Sequence, residues 1–101
     1  MQSLDETYHE LNGKLQDFSE KAEKLFRANN WTWCDKVPNK YDIGYTLGSL
    51  IYECYQEAKK NKDHACVGTG RLQVRLNKYH EKWCGTLELV PICSRNYWKE
   101  I

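Results

Sequence analysis

The stretch RLQVRLNKYHEKWCGTLELV, residues 71–90, sets the fold class. Apolar residues alternate with polar ones on both sides of the break NKYHEK, at Leu72, Val74, Leu76, Trp83, Leu87 and Leu89. Strict alternation is the pattern of a strand with one buried face, so two antiparallel strands are expected. We predict a β-hairpin within residues 66–90, with a turn-rich connection over residues 61–70 leading into it.

A pair of strands is not stable alone in water, so the hairpin must pack on helices or recruit a third strand. Either the tryptophan-containing segment 31–40 or the tail 91–101 could supply that strand. Upstream of the hairpin, the spacing of apolar residues predicts two long helices, over residues 1–30 and 41–60. The sequence therefore predicts one α+β domain over residues 1–101, with both helices on one face of a small antiparallel sheet.

The first helix carries an apolar heptad seam, formed by Leu4, Tyr8, Leu11, Leu15, Phe18, Ala22 and Leu25. Ser3 and Glu6 have the spacing of a capping box at its start. A helix of about 25 residues is ~37 Å long, whereas a compact domain of this size has a radius of gyration of ~13 Å. The seam therefore either packs on the chain's own core or pairs in part with a second copy or a partner. The residues predicted for a homodimer interface are Leu4, Tyr8, Leu11, Leu15 and Phe18.

The second helix has an apolar face and, beside it, a stripe of four tyrosines and one glycine: Tyr41, Tyr45, Gly48, Tyr52 and Tyr55. Glycine is costly inside a helix, so Gly44 and Gly48 require a packing reason. Tyrosine combines an apolar ring with a polar tip, a composition favoured at wet interfaces. The stripe either lines the rim of the core against the first helix or forms a surface for a partner.

The net charge is +1, from 15 basic and 14 acidic side chains, which excludes strongly basic nucleic-acid coats and acidic mimics. Residues 59–82 are nevertheless basic, with seven positive and two negative side chains, and Tyr79, His80 and Trp83 lie among or beside them. Cations beside stackable rings suit phosphate backbones and single strands. The same charges could instead protect an exposed sheet edge from aggregation.

The five cysteines are odd in number and widely spaced, at Cys34, Cys54, Cys66, Cys84 and Cys93. With no basic-then-apolar leader at the N-terminus, they favour reduced thiols in a host-cell cytosol. His64, Cys66, His80 and Cys84 could ligate zinc, but their spacing is not a recurrent one. No nucleophile signature or phosphate loop is present. We therefore predict no metal, cofactor or catalysis, and no membrane span.

In style, the chain resembles small accessory proteins of phages and mobile elements, including anti-CRISPR inhibitors. The resemblance rests on the capped first helix and on the stretches VPNKYDIGYTLGSLIYECY, GTGRLQVRL and WCGTLELVPI. It implies a non-enzymatic protein that binds a host defence complex of the CRISPR–Cas type and blocks it sterically, often as a homodimer.

Two functions are expected from these observations. The first is a cytoplasmic inhibitor that occupies a surface of a larger protein or ribonucleoprotein assembly. Its candidate contact residues are aromatic or carry a guanidinium, because such side chains dominate interface energies. They are Tyr41, Tyr45, Tyr52, Arg71, Arg75 and Tyr79. The alternative is a small nucleic-acid-binding module that uses the basic segment 59–82.

Overall fold

Three helices and a three-stranded antiparallel sheet form the described part of the chain, residues 2–31 and 39–90 of a computed structural model. In chain order the elements are α1 (Leu4–Gly13), α2 (Leu15–Ala28), α3 (Lys40–Asn61), β1 (His64–Thr69), β2 (Leu72–Tyr79) and β3 (Lys82–Leu89). The α+β class predicted from the sequence is therefore confirmed, with the helices on one face of the sheet.

The first helix differs from the prediction, because two helices meet at Lys14 instead of one running over residues 1–30. Lys14 has φ −92° and ψ −3°, and its N–H donates to the Leu11 carbonyl oxygen at 3.1 Å. The capping box predicted for Ser3 and Glu6 is present. Since α1 packs on β3 while α2 packs on α3, the break lets a single apolar seam follow two differently placed surfaces.

The third helix covers the residues predicted for it, 41–60, and extends by one residue at each end, to Lys40 and Asn61. The Asn39 side chain accepts hydrogen bonds from the N–H groups of Tyr41 and Asp42, at 2.9 and 3.0 Å. These bonds satisfy two donors that the first turn of a helix leaves open. The helix ends at Asn61, and its C-cap residue Lys62 has a φ of 71°, in the left-handed region.

The third strand comes from a segment predicted as a connection. Residues 64–69 form β1 and pair antiparallel with β2, so that the strand order is β1-β2-β3. The sequence HACVGT lacks large alternating side chains, but Ala65 is buried and Val67 packs against the core. Two other segments, 31–40 and 91–101, were predicted as possible sources of this strand. Residues 32–38 of the first and all of the second lie outside the described part of the chain.

The break between β2 and β3 is shorter than the predicted NKYHEK. Asn77, Lys78 and Tyr79 belong to β2, and Lys82 already belongs to β3. The turn is His80-Glu81, both with positive φ, of 50° and 69°. Two-residue hairpin turns of type I′ need positive φ at both residues, a conformation that asparagine and glycine adopt more readily.

The apolar seam of α1 and α2 packs into the chain's own core. This corrects the dimer prediction at Leu11, the central one of its five residues. Leu11 is 1% exposed and Ala22 fully buried, and neither has surface left for a second copy. The other four residues proposed for the dimer pack against the same core while partly buried, namely Leu4, Tyr8, Leu15 and Phe18. The structure thus gives the seam the alternative role considered from the sequence.

Gly85 allows α1 to lie close against β3. A Cβ atom at this position would come 2.9 Å from side-chain carbons of Leu11, Leu76 and Thr7. We expect Gly85→Val to destabilise the fold by about 1–3 kcal/mol, because overpacking a buried contact forces its neighbours apart. In a domain of this size each kcal/mol lowers the melting temperature by about 4–8 °C, which thermal unfolding followed by circular dichroism measures.

Gly48 provides the matched control for that experiment, because a Cβ there would meet no atom within 4 Å. Gly48→Ala is expected to stabilise the chain by about 0.5–1 kcal/mol through the lower backbone entropy of alanine in a helix. A Gly85→Val protein as stable as the wild type would show that α1 does not pack against β3 in this way.

Candidate functional site

Three tyrosines of α3 stand out from the surface. Tyr41 is 76% exposed, Tyr45 81% and Tyr52 55%, and Gly48 lies between the last two. We call Tyr41, Tyr45, Gly48 and Tyr52 the tyrosine stripe. It is exposed because the face of α3 that carries Ile43, Leu47 and Ile51 is buried in the core.

Tyr55, the last residue of the stripe predicted from sequence, has an internal role instead. Its ring stacks on Tyr8 with centroids 4.4 Å apart, and its hydroxyl donates a hydrogen bond to the Asp5 carboxylate. That bond is the main reason why the pKa of Tyr55 is raised. Lys59 Nζ lies 4.9 Å from the ring centroid. Tyr55 therefore joins α3 to α1 at the rim of the core.

A groove runs beside the stripe, between α2 and the first two turns of α3. Its volume is about 310 Å³, and it is lined by Leu15, Gln16, Ser19, Lys40, Tyr41, Gly44 and Tyr45. Gly44 forms part of its wall, where a Cβ would lie 3.4 Å from Ser19 Oγ and 3.8 Å from Leu15 Cδ2. Among the described tyrosines, the two most exposed thus flank a concave surface with an apolar component.

The end of the groove near Lys40 is charged and held by specific bonds. The Lys40 N–H donates to Glu23 Oε2 at 2.7 Å, and its Nζ lies 3.6 Å from Glu20 Oε1. Its ammonium also lies 5.4 Å from the Tyr41 ring centroid. These contacts join α2 to the start of α3, next to Tyr41.

The two arginines predicted as contact residues are engaged within the chain. The Arg71 guanidinium lies 4.4 Å from the Trp31 ring centroid, and Nη1 donates to the Val90 carbonyl oxygen at 3.4 Å. Arg75 Nε lies 3.5 Å from Glu88 Oε2 across the outer face of the sheet. Arg71 therefore has a structural role at one end of the fold while it remains partly exposed, and its contact with a partner stays a prediction. Tyr79 is 60% exposed but lies at the end of β2, outside the stripe.

The positive side chains of the basic segment 59–82 lie in three parts of the fold. Five of its lysines lie at the end where α3 leads into β1 and β2 turns into β3: Lys59, Lys60, Lys62, Lys78 and Lys82. Acidic residues are interspersed there, with Lys60 3.6 Å from Glu57 and Lys78 3.4 Å from Glu81. Arg71 lies at the β1–β2 turn and Arg75 in mid-sheet, so the segment is not one continuous patch.

The candidate thiol and imidazole groups are spread over the sheet. Cys66 pairs with Arg75 in the register, whereas Cys84 and His64 flank Asn77 on opposite edge strands. His64 Nδ1 lies 2.6 Å from the Asp63 carboxylate. Residues 2–31 and 39–90 contain no cluster of three or more His, Cys, Asp or Glu side chains placed to hold a metal ion.

Cys54 is fully buried, and its thiol lies 3.5 Å from the carbonyl oxygens of Ala65 and Val74, to which it can donate. Burial is the main reason why its pKa is raised to about 12. Burial likewise raises the pKa of Cys66, although that residue is exposed. A nucleophilic cysteine needs the opposite shift, because the thiolate is the reactive form.

This arrangement predicts an order of thiol labelling. With iodoacetamide at mildly alkaline pH, Cys84 and Cys66 should be modified in the folded protein, whereas Cys54 should react only after denaturation. Peptide mass mapping before and after addition of guanidinium measures this order. Labelling of Cys54 at the rate of Cys84 in the native protein would contradict the buried position of that thiol.

Comparisons with known proteins identify no relative of the chain. No family model, curated protein or solved structure matches the chain. Among the described residues, none of the helices has the length and apolar character needed to cross a lipid bilayer.

Proposed function

We propose that the chain is a non-enzymatic binding protein whose tyrosine stripe docks on a larger protein assembly and inhibits it by steric occupation. The observation that carries this proposal is the exposure of Tyr41, Tyr45 and Tyr52 around Gly48. Tyrosines supply much of the energy of protein interfaces, where anchors of this kind contribute about 2 kcal/mol or more.

Gly48 adds an independent argument. A glycine inside a helix costs about 0.5–1 kcal/mol relative to alanine, and within the described residues nothing lies close enough to the position to require it. The same glycine removes bulk between Tyr45 and Tyr52, so that the backbone of a partner can approach α3 there. The cost to the free protein is thus offset on binding.

The resemblance to anti-CRISPR inhibitors supports a more specific version of this proposal. In that version the assembly is a host defence complex of the CRISPR–Cas type, and the chain acts in the host-cell cytosol. A plasmid-interference assay tests it. Expression of the wild-type chain should restore transformation by a targeted plasmid, whereas Tyr41→Ser/Tyr45→Ser should not.

A nucleic-acid-binding module remains the second candidate, favoured by the lysines that gather where α3 leads into β1. Salt separates the two functions. Binding to phosphates should weaken steeply between low and moderate ionic strength, whereas a mainly apolar protein interface should change little.

Affinity capture from a nuclease-treated bacterial lysate tests the proposal directly. The wild type should retain one protein assembly that Tyr41→Ser/Tyr45→Ser loses. Tyr79→Ser provides the control, because it removes a tyrosine that is 60% exposed and lies on β2, outside the stripe. If the wild type retains protein from an untreated lysate but none from the nuclease-treated lysate, the nucleic-acid module is favoured instead.

A further inference from the structure

The outer edge of β3 begins with a backbone contact made by the N-terminal segment. The N–H of Trp83 donates to the Gln2 carbonyl oxygen at 3.0 Å, and the Trp83 carbonyl oxygen accepts from the Thr7 hydroxyl at 3.3 Å. Both backbone groups of Trp83 therefore point away from β2. Because the direction alternates along an antiparallel strand, Gly85, Leu87 and Leu89 also direct their N–H and C=O groups outward.

These three residues form an open edge. Within the described residues no hydrogen bond satisfies the outward groups of Gly85, Leu87 or Leu89. Gln2 limits the open edge at one end, and Pro91, which has no backbone N–H, follows at the other. Monomeric proteins commonly protect such an edge with charged side chains, especially lysine, or with proline or a bulge. Residues 85–89, GTLEL, contain no lysine or proline, and Glu88 is their one charged residue.

Apolar side chains accompany the unpaired groups. Leu87 and Leu89 lie on the sheet face that packs on the helices, and both are only partly buried. The other edge is different, because β1 has only Cys66 and Gly68 as outward residues beyond His64, whose carbonyl oxygen accepts from Asn61 Nδ2. The β3 edge thus combines more unpaired backbone groups with more apolar surface that a neighbour could cover.

We propose that the β3 edge pairs antiparallel with the β3 edge of a second copy, with Leu87 on the two-fold axis. Gly85 then pairs with Leu89 of the other copy, and Leu87 pairs with its own equivalent. This register satisfies all the open edge groups of both copies and stops at Gln2. On the outer face, Glu88 stands opposite Thr86 of the other copy, so no like charges face each other.

The occupant is a second copy because the open edge is complementary to itself in length, hydrogen bonding and charge. The resulting six-stranded sheet leaves the tyrosine stripe of each copy exposed, so this inference does not depend on the proposed function. It also places a homodimer on the sheet instead of on the seam of α1 and α2.

Amide hydrogen exchange in the wild-type protein tests the pairing with internal controls. Between micromolar and submillimolar concentration, exchange at Gly85, Leu87 and Leu89 should slow at least tenfold, while the mass measured by light scattering doubles. Thr86 and Glu88 should not change, because their amides already bond to β2. A monomeric mass at both concentrations would overturn the proposal, and so would a dimer whose three outward amides exchange freely.

A pair of variants provides the second test. Leu87→Lys places two lysines opposite each other on the axis and should raise the dissociation constant at least tenfold. Val67→Lys is the matched control, because Val67 lies on the same sheet face in the same register row but on β1. It should leave the dimer intact. Equal dissociation of the two variants would contradict pairing at β3, and if either fails to fold, the exchange experiment decides.

Discussion

Leu11→Glu is expected to unfold the chain. Leu11 is 1% exposed and packs beside Gly85, where α1 meets the sheet. Burying an unpaired carboxylate costs on the order of several kcal/mol, and the lost burial of the leucine side chain adds about 1.5–3 kcal/mol. Together these approach the total stability of a typical domain, about 5–15 kcal/mol.

Leu25→Glu is the control for this prediction, because Leu25 belongs to the same seam but is 45% exposed. The control should remain folded, as judged by far-ultraviolet circular dichroism and a cooperative melt. A Leu11→Glu protein that is folded and monomeric would mean that the seam joins two copies, as the alternative interpretation of the heptad pattern required.

Phe26→Ala is expected to cost about 3–5 kcal/mol, the usual range for a large side chain removed from a core. Phe26 is fully buried near the end of α2, and Trp31 meets its ring edge-on with centroids 5.8 Å apart. The Trp31 N–H also donates to the Phe26 carbonyl oxygen at 2.9 Å. Loss of the phenyl ring therefore also removes the support of the indole on which Arg71 packs.

Chemical denaturation measures this effect, with Leu25→Ala at the adjacent, partly exposed position as its control. Leu25→Ala should change the free energy of unfolding by much less, because little apolar surface is lost there. Equal costs for the two variants would show that α2 presents a different face to the core.

The helices and the β2–β3 hairpin follow from the sequence because their apolar residues keep the periods of buried faces. The strand β1 does not, since HACVGT offers small side chains whose burial depends on α3 and β2. The break at Lys14 could not be predicted from the sequence either. Apolar residues at steps of three and four give the same pattern whether one helix packs on one surface or two helices pack on two.

The candidate site was predictable in part. The spacing of Tyr41, Tyr45, Gly48 and Tyr52 identifies one helical face, but spacing alone leaves open whether that face meets another helix. Tyr55 shares the stripe's spacing, yet α1 reaches it and Tyr8 stacks on it. Likewise, alternation along β2 places Arg75 outward without showing that Glu88 lies 3.5 Å away on β3. Such outcomes depend on packing between elements distant in sequence.

Capture by a Gly48→Leu protein tests the docking role of the tyrosine stripe most directly. Leucine favours the helix, and the position is open, so the variant should stay folded while its side chain blocks the approach between Tyr45 and Tyr52. Gly13→Leu is the matched control, because Gly13 also has open space around it and lies outside the stripe. We predict that Gly48→Leu loses the captured assembly at least tenfold while Gly13→Leu retains it. Full capture by a folded Gly48→Leu protein would contradict the account.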